Sequence, residues 1–122
     1  MNVSGDGGQQ TFITYIFRHS AGQVVYVGRT RGYGTPEQVL QQRLAKGHHV
    51  FDNNPGLKPE VQAYQGNQEA NMGAEDVWYE YYRRAGAPLL NNPQTPPLSS
   101  RLDRLEATRR RIQAYADDLE EP

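Results

Sequence analysis

Two tyrosines separated by ten residues, Tyr15 and Tyr26, each stand in an apolar, β-branched run, and the second leads through Val27 into Gly28-Arg29-Thr30-Arg31. Further along come Arg43, the adjacent pair His48 and His49, then Glu75 and Asn91. Together these side chains could hydrolyse a phosphodiester. That reaction needs an activated water, stabilisation of charge on the phosphoryl oxygens, and help for the leaving oxygen. A guanidinium offers a planar fork matched to phosphate oxygens, which suits Arg43 and, just after the second tyrosine, Arg29. Glu75 could be a single ligand for Mg²⁺, which typically binds one or two carboxylates and fills its octahedron with water and substrate oxygens. A free phenol, with a pKa of about 10, is a poor base at neutral pH. Beside a metal-bound water and an arginine, it can orient that water or accept its proton. Either histidine could protonate the leaving oxygen, assist as base, or contact phosphate.

Each residue also has a plainer reading. The tyrosines can be cross-strand aromatics packing a sheet face, and Arg43 a surface arginine beside a capped helix. Glu75 can be an acid complementing a helix N-terminus. Consecutive histidines on a helix end point apart and are no metal signature by themselves. Whether the chain gathers these groups decides between the readings.

The elements that must position them follow from local signals. "TFITYIFR" and "QVVYVG" are β-branched and aromatic, with "HSAG" between them, so residues 11–28 read as a β-hairpin. A turn centred between Ser20 and Ala21 puts Tyr15 directly opposite Tyr26, unless a bulge at Gly22 breaks the register. "TPEQVLQQRLAKG" is a helix: Thr35 as N-cap, Pro36 in the first position, Gln38 completing a capping box, and Gly47 as stop. Its apolar face is Val39, Leu40 and Leu44, with Arg43 on the flank. Residues 50–70 are broken by Pro55, Gly56, Pro59 and Gly66, leaving only "EVQAY" with the alternation of a short third strand. "GAEDVWYEYYRRAG" reads as a helix ended by Gly86, burying Val77, Trp78, Tyr81 and Tyr82. After the proline-studded "APLLNNPQTPP", residues 99–121 read as an amphipathic helix. Its expected cap is Ser99 or Ser100, with Leu102, Leu105, Ile112 and Leu119 on a narrow stripe and its charges solvated. The first ten residues read as a flexible leader.

Composition narrows the classes. At 122 residues the chain is one domain by length. Net charge is −1, yet residues 15–58 carry six basic side chains against two acidic ones and all three histidines, a basic patch suited to a phosphate-bearing partner. There is no cysteine, hence no thiolate nucleophile, disulfide or Cys-type zinc site. No Gly-rich phosphate loop of Walker or dinucleotide type occurs. Ser20 beside His19 in a turn is no triad. No apolar run approaches the roughly 20 residues of a membrane span, and the N-terminus "MNVSGDGGQQ" lacks the features of a signal peptide.

The ordered set resembles the GIY-YIG nucleases: Tyr15, closing Ile13-Thr14-Tyr15, then Tyr26-Val27-Gly28, then Arg43 in "LQQRL", Glu75 opening a later helix, and Asn91 in "PLLNN". The resemblance spans roughly residues 11–92. It implies an α/β fold of α+β type, a small three-stranded antiparallel sheet flanked by helices. It also implies a one-metal endonuclease with DNA ahead of RNA as substrate. Glu75 would hold Mg²⁺ or Mn²⁺, Tyr15 and Tyr26 would position the water, and Arg43 would neutralise developing charge. Arg29 would take a second phosphate oxygen, and His48, ahead of His49, would serve near the helix end. Asn91, or equally Asn92, would order the loop beneath the site. A catalytic core with little beyond it but one helix resembles the C-terminal toxin domains of bacterial polymorphic toxins. That implies delivery into a rival cell and a cognate immunity protein. A stand-alone cytoplasmic nuclease, a non-catalytic nucleic-acid binder and a protein-interaction module built on the 99–121 helix are the alternatives.

Overall fold

Every residue of strand β1, Thr11–Arg18, is β-branched or aromatic except the last. Ile13, Thr14, Tyr15, Ile16 and Phe17 are each at most 2% exposed. A strand buried on both faces needs neighbours at both edges and cover above and below. Accordingly β1 is the middle of a three-stranded antiparallel sheet, with β2 (Val24–Gly32) at one edge and β3 (Lys58–Gln65) at the other. The computed structural model describes residues 9–91 and 98–120, with side chains of the last helix placed from residue 105 onward. Residues 1–8 of the expected leader, Asn92, and the side chains of Ser99, Ser100 and Leu102 lie outside the described residues.

The expected fold class is what the chain adopts: a small antiparallel sheet with helices on both faces. On one face Ile13, Tyr15 and Phe17 pack with Val39 and Leu40 of α1 (Pro36–Ala45) and Val50 of α2 (His49–Asn53). On the other, Ile16, Val24 and Val27 meet Trp78, Tyr79 and Tyr82 of α3 (Gln68–Arg84). Helix α4 (Leu98–Glu120) lies on α3. Among the described residues no helix is long and apolar enough to cross a membrane.

Several expectations need correction. The hairpin register is shifted by two: Tyr15 faces Gly28, and Tyr26 faces Phe17. The reason is a longer loop, closed by His19 N–H to Gln23 O (2.7 Å) and Gly22 N–H to His19 O (2.8 Å), followed by an extra residue at Val25, between partners Tyr26 and Val24. A bulge does occur, but inside β2 and not at Gly22. The weak third strand is a full one, because the central strand requires a partner along Phe12–Arg18. The capping box of α1 forms as read, with Thr35 Oγ1 accepting from Gln38 N–H and Gln38 Oε1 accepting from Thr35 N–H. Helix α2 was not foreseen.

Helix α3 begins at Gln68, not at Gly73, with Asn67 as N-cap accepting from Ala70 N–H at 2.8 Å. Gly73 is not a boundary. A Cβ there would stand 2.0 Å from the Arg111 carbonyl oxygen, so glycine is what lets the α4 backbone touch α3. Glu75 therefore sits two turns into the helix and does not complement a helix start. On α3 it is Tyr79, packed beside Trp78 and Tyr82, that turns inward, while Tyr81 is 58% exposed. On α4 the apolar stripe is not the docking face: Leu105, Ile112 and Leu119 are 51%, 39% and 66% exposed. Docking runs through Tyr115 and Ala114 against Ala70, Ala74 and Val77, with Tyr115 Oη accepting from Trp78 Nε1–H at 3.2 Å.

Candidate functional site

The two phenols come from neighbouring strands, diagonal to one another. Their ring centroids are 6.2 Å apart and the planes 30° from parallel. Gly28, opposite Tyr15, is the seat of the pair. A Cβ on it would meet Tyr15 Cζ at 2.6 Å, Tyr15 Oη at 2.7 Å and Tyr26 Cε2 at 2.8 Å. The second motif thus needs its glycine because the first tyrosine lies over it. Phe17 stacks on Tyr26 with centroids 5.3 Å apart and braces Tyr15 at 5.4 Å. Tyr15 is buried, whereas Tyr26 is half-buried and forms part of the wall of a cleft of about 960 Å³.

His48 is the N-cap of α2. Its backbone N–H donates to Asp52 Oδ2 at 3.0 Å, its Nδ1 accepts from Val50 N–H at 3.2 Å, and its Nε2 lies 3.0 Å from Tyr15 Oη. At 2% exposure it cannot meet a phosphate directly. His49 is exposed, lines the cleft, and stacks on His48 with centroids 5.4 Å apart. The direct contacts expected of His48 are therefore open to His49. Arg43, half-buried near the end of α1, donates from Nη1 to Gly47 O at 2.8 Å. Its charge bears on Tyr15, Tyr26 and His48 alike.

Glu75 reaches the site from the opposite face of the sheet. Asn71, one turn earlier on α3, is buried and pins the helix: it accepts from Thr14 Oγ1 at 3.3 Å and donates to Thr30 O at 3.2 Å. Residues four apart share a helix face, so the pinned face also presents Glu75. Glu75 is half-buried, lines the same cleft as Tyr26, and accepts from Arg29 Nε at 3.1 Å on Oε1. Asn91 completes the wall. Its Oδ1 accepts from Val27 N–H at 3.1 Å and its Nδ2 donates to Val27 O at 2.8 Å, so one amide side chain mimics a pairing strand beside Tyr26.

The electrostatics tie these groups together. Burial pushes Tyr15 well above the ordinary phenol range, Tyr26 and Glu75 add to the rise, and Arg43 opposes it. Tyr26 is raised by burial and then by Glu75, against Arg43 and the neighbouring Tyr15 hydroxyl. Glu75 is raised by burial, with Arg29 pulling the other way. His48 is lowered by burial, then by Arg43 and His49.

So the structure brings Tyr26, Glu75 and Asn91 to one cleft, with Tyr15 and His48 packed behind Tyr26 and the charge of Arg43 acting on all three of these rings. Arg29 is turned onto Glu75 and does not stand alone as a phosphate fork. Sequence reasoning missed Phe17 and Asn71, whose roles are set by contacts across the sheet. The residues at hand suit a metal ion that keeps most of its shell as water and substrate oxygen. Glu75 Oε2 has no hydrogen-bond partner among the described residues, and no group of three or more His, Asp or Glu gathers among them. Compared with protein-family models, with curated proteins and with solved structures, the chain matches none.

Proposed function

We propose that the chain is a metal-dependent endonuclease hydrolysing nucleic-acid phosphodiesters, DNA ahead of RNA, in the manner of the GIY-YIG nucleases it resembles. One observation carries this reading. Tyr26, Glu75, His49 and Asn91, spread over the sequence, line one open cleft, and Tyr15 and His48 stand packed directly behind Tyr26.

Glu75 would hold one Mg²⁺ or Mn²⁺, which when bound supplies positive charge at the scissile phosphate. Tyr26, at the cleft wall, orients the attacking water and takes its proton, while Tyr15 supports it from behind. Arg43 balances negative charge growing on the phosphoryl oxygens. His49, exposed on the rim, meets the phosphate at the leaving side. Arg29 shares its guanidinium between Glu75 and the incoming phosphate. Because Tyr26 is held above its ordinary pKa, cleavage is expected to quicken as pH rises above neutrality.

The proposal extends to context. The resemblance to the C-terminal toxin domains of bacterial polymorphic toxins favours a toxin domain delivered into a rival cell, acting in its cytoplasm and held in check by an immunity protein. Plasmid nicking with Mg²⁺, with EDTA and with Glu75→Ala tests the chemistry. Cleavage should need the metal and fall by at least about 100-fold in the variant. Cleavage that requires neither metal nor Glu75 overturns the assignment. Growth arrest on expression, relieved by a neighbouring gene product, distinguishes the toxin from a stand-alone cytoplasmic nuclease.

A further inference from the structure

A backbone amide can only donate, so the 3.2 Å contact from Val50 N to His48 Nδ1 makes Nδ1 an acceptor. A neutral imidazole then carries its single proton on Nε2. Burial, with the charges of Arg43 and His49, keeps His48 neutral at neutral pH. Nε2 lies 3.0 Å from Tyr15 Oη, and its proton has that oxygen before it. The contact consequently has a direction: the histidine donates and the phenol accepts. The positive charge of Arg43 acts on the same phenol. With Oη accepting from His48, Tyr15 keeps its own proton to give on another side. Buried from solvent, it has Tyr26 as its neighbour on the cleft side, with ring centroids 6.2 Å apart.

We infer that His48 is a positioning residue, locked by its own helix cap as an Nε2–H donor, and that it makes Tyr15 Oη an acceptor and so turns the Tyr15 proton away from itself, on the side where Tyr26 lies. It is not an acid or base that touches substrate. The consequence for water orientation rests on the nuclease reading; the direction of the His48–Tyr15 hydrogen bond rests on the contacts alone. Helix α2, although only five residues long, thereby gains a purpose: its Val50 amide fixes the polarity of the His48–Tyr15 contact.

Long-range ¹⁵N–¹H spectra of the histidine rings in the metal-free protein test the first link, with His48 assigned by comparison with His48→Asn. The expected pattern at neutral pH is a protonated Nε2 and a bare Nδ1. Asparagine keeps an N-cap acceptor but cannot span to Tyr15, so His48→Asn should fold, with a melting temperature lowered by the smaller side chain it leaves among the rings. In the nicking assay, His48→Asn and Tyr15→Phe should each lower kcat by about tenfold, the loss of one hydrogen bond, with KM unchanged. The double variant should be no slower than either single one, because both cut the same hydrogen bond. Protonation at Nδ1, or losses that multiply in the double variant, overturns the inference. If the protein cleaves no nucleic acid, the spectrum still decides: Nε2–H upholds the fixed donor while the nuclease reading falls.

Discussion

On the α1 side of the sheet the packing is aromatic and dense. Phe17 stands 4.9 Å from His48, 5.2 Å from Phe51 and 5.3 Å from Tyr26, centroid to centroid. On the α3 side, Ala70, Gly73 and Ala74 receive α4, and ion pairs such as Arg111–Asp76 at 3.0 Å and Arg29–Glu75 at 3.1 Å tie α3 to α4 and to the sheet. The two sides supply different parts of the site. Phenols and imidazole come from the stiff side, where close-packed rings leave few alternative rotamers. The carboxylate comes from the polar side, where it trades partners at small cost, since half-exposed ion pairs contribute about 1 kcal/mol or less. A site that must hold its water-orienting groups fixed while a carboxylate changes partners is well served by such a seam.

The comparison is easiest to break at Phe17. Fully buried and in contact with four of the rings, it should cost about 3–5 kcal/mol as Phe17→Ala, a large share of the stability of a small domain. Urea unfolding measures the loss, and a value under about 1 kcal/mol would deny that this side is the rigid one. The counterpart on the α3 side is Gly73→Ala. The added methyl meets the Arg111 carbonyl, so α4 must lift, at a cost of about 1–3 kcal/mol. Hydrogen exchange should then show α4 loosened while the Tyr15 and His48 resonances stay in place. If they move as well, the two sides are coupled more tightly than their composition implies.

What was legible in the sequence follows the range of the forces involved. The Thr35–Gln38 capping box is written in four residues and forms as read. The hairpin was legible as a hairpin, but its register depended on the length of a loop and on an extra residue at Val25, neither of which strand composition specifies. Gly73 was misread because its reason lies on another helix; locally it looks like a break, and only the carbonyl of Arg111 explains it. The exposed leucines of α4 misled for a related reason. Docking onto a surface of alanine and glycine selects Tyr115, whose hydroxyl also meets Trp78, over branched aliphatics. Of the candidate site, residue identities were legible and orientations were not. Nothing local distinguishes His48, turned inward as a cap, from exposed His49.

The smallest effects are in pH, and there the two sides should pull in opposite directions. His48 is held below its ordinary 6.5, chiefly by burial. Below 6.5 the unfolded chain takes up the proton first, so stability is lost as pH falls toward the folded value. Glu75 is held above its ordinary 4.5, again by burial, with Arg29 opposing. Here the folded state keeps the proton longer, so its contribution is full below 4.5 and is lost as pH rises through the folded value. Each slope is at most that of one proton, about 1.4 kcal/mol per pH unit. Between 4.5 and 6.5 the two therefore oppose each other. Relative to the parent, His48→Asn should make stability fall more with rising pH, and Glu75→Gln should make it rise more. Urea unfolding at several pH values across that window reads both signs. Two variants whose curves run parallel to the parent would mean that neither group is desolvated by folding, and the division between a stiff side and an adaptable one would lose its electrostatic half.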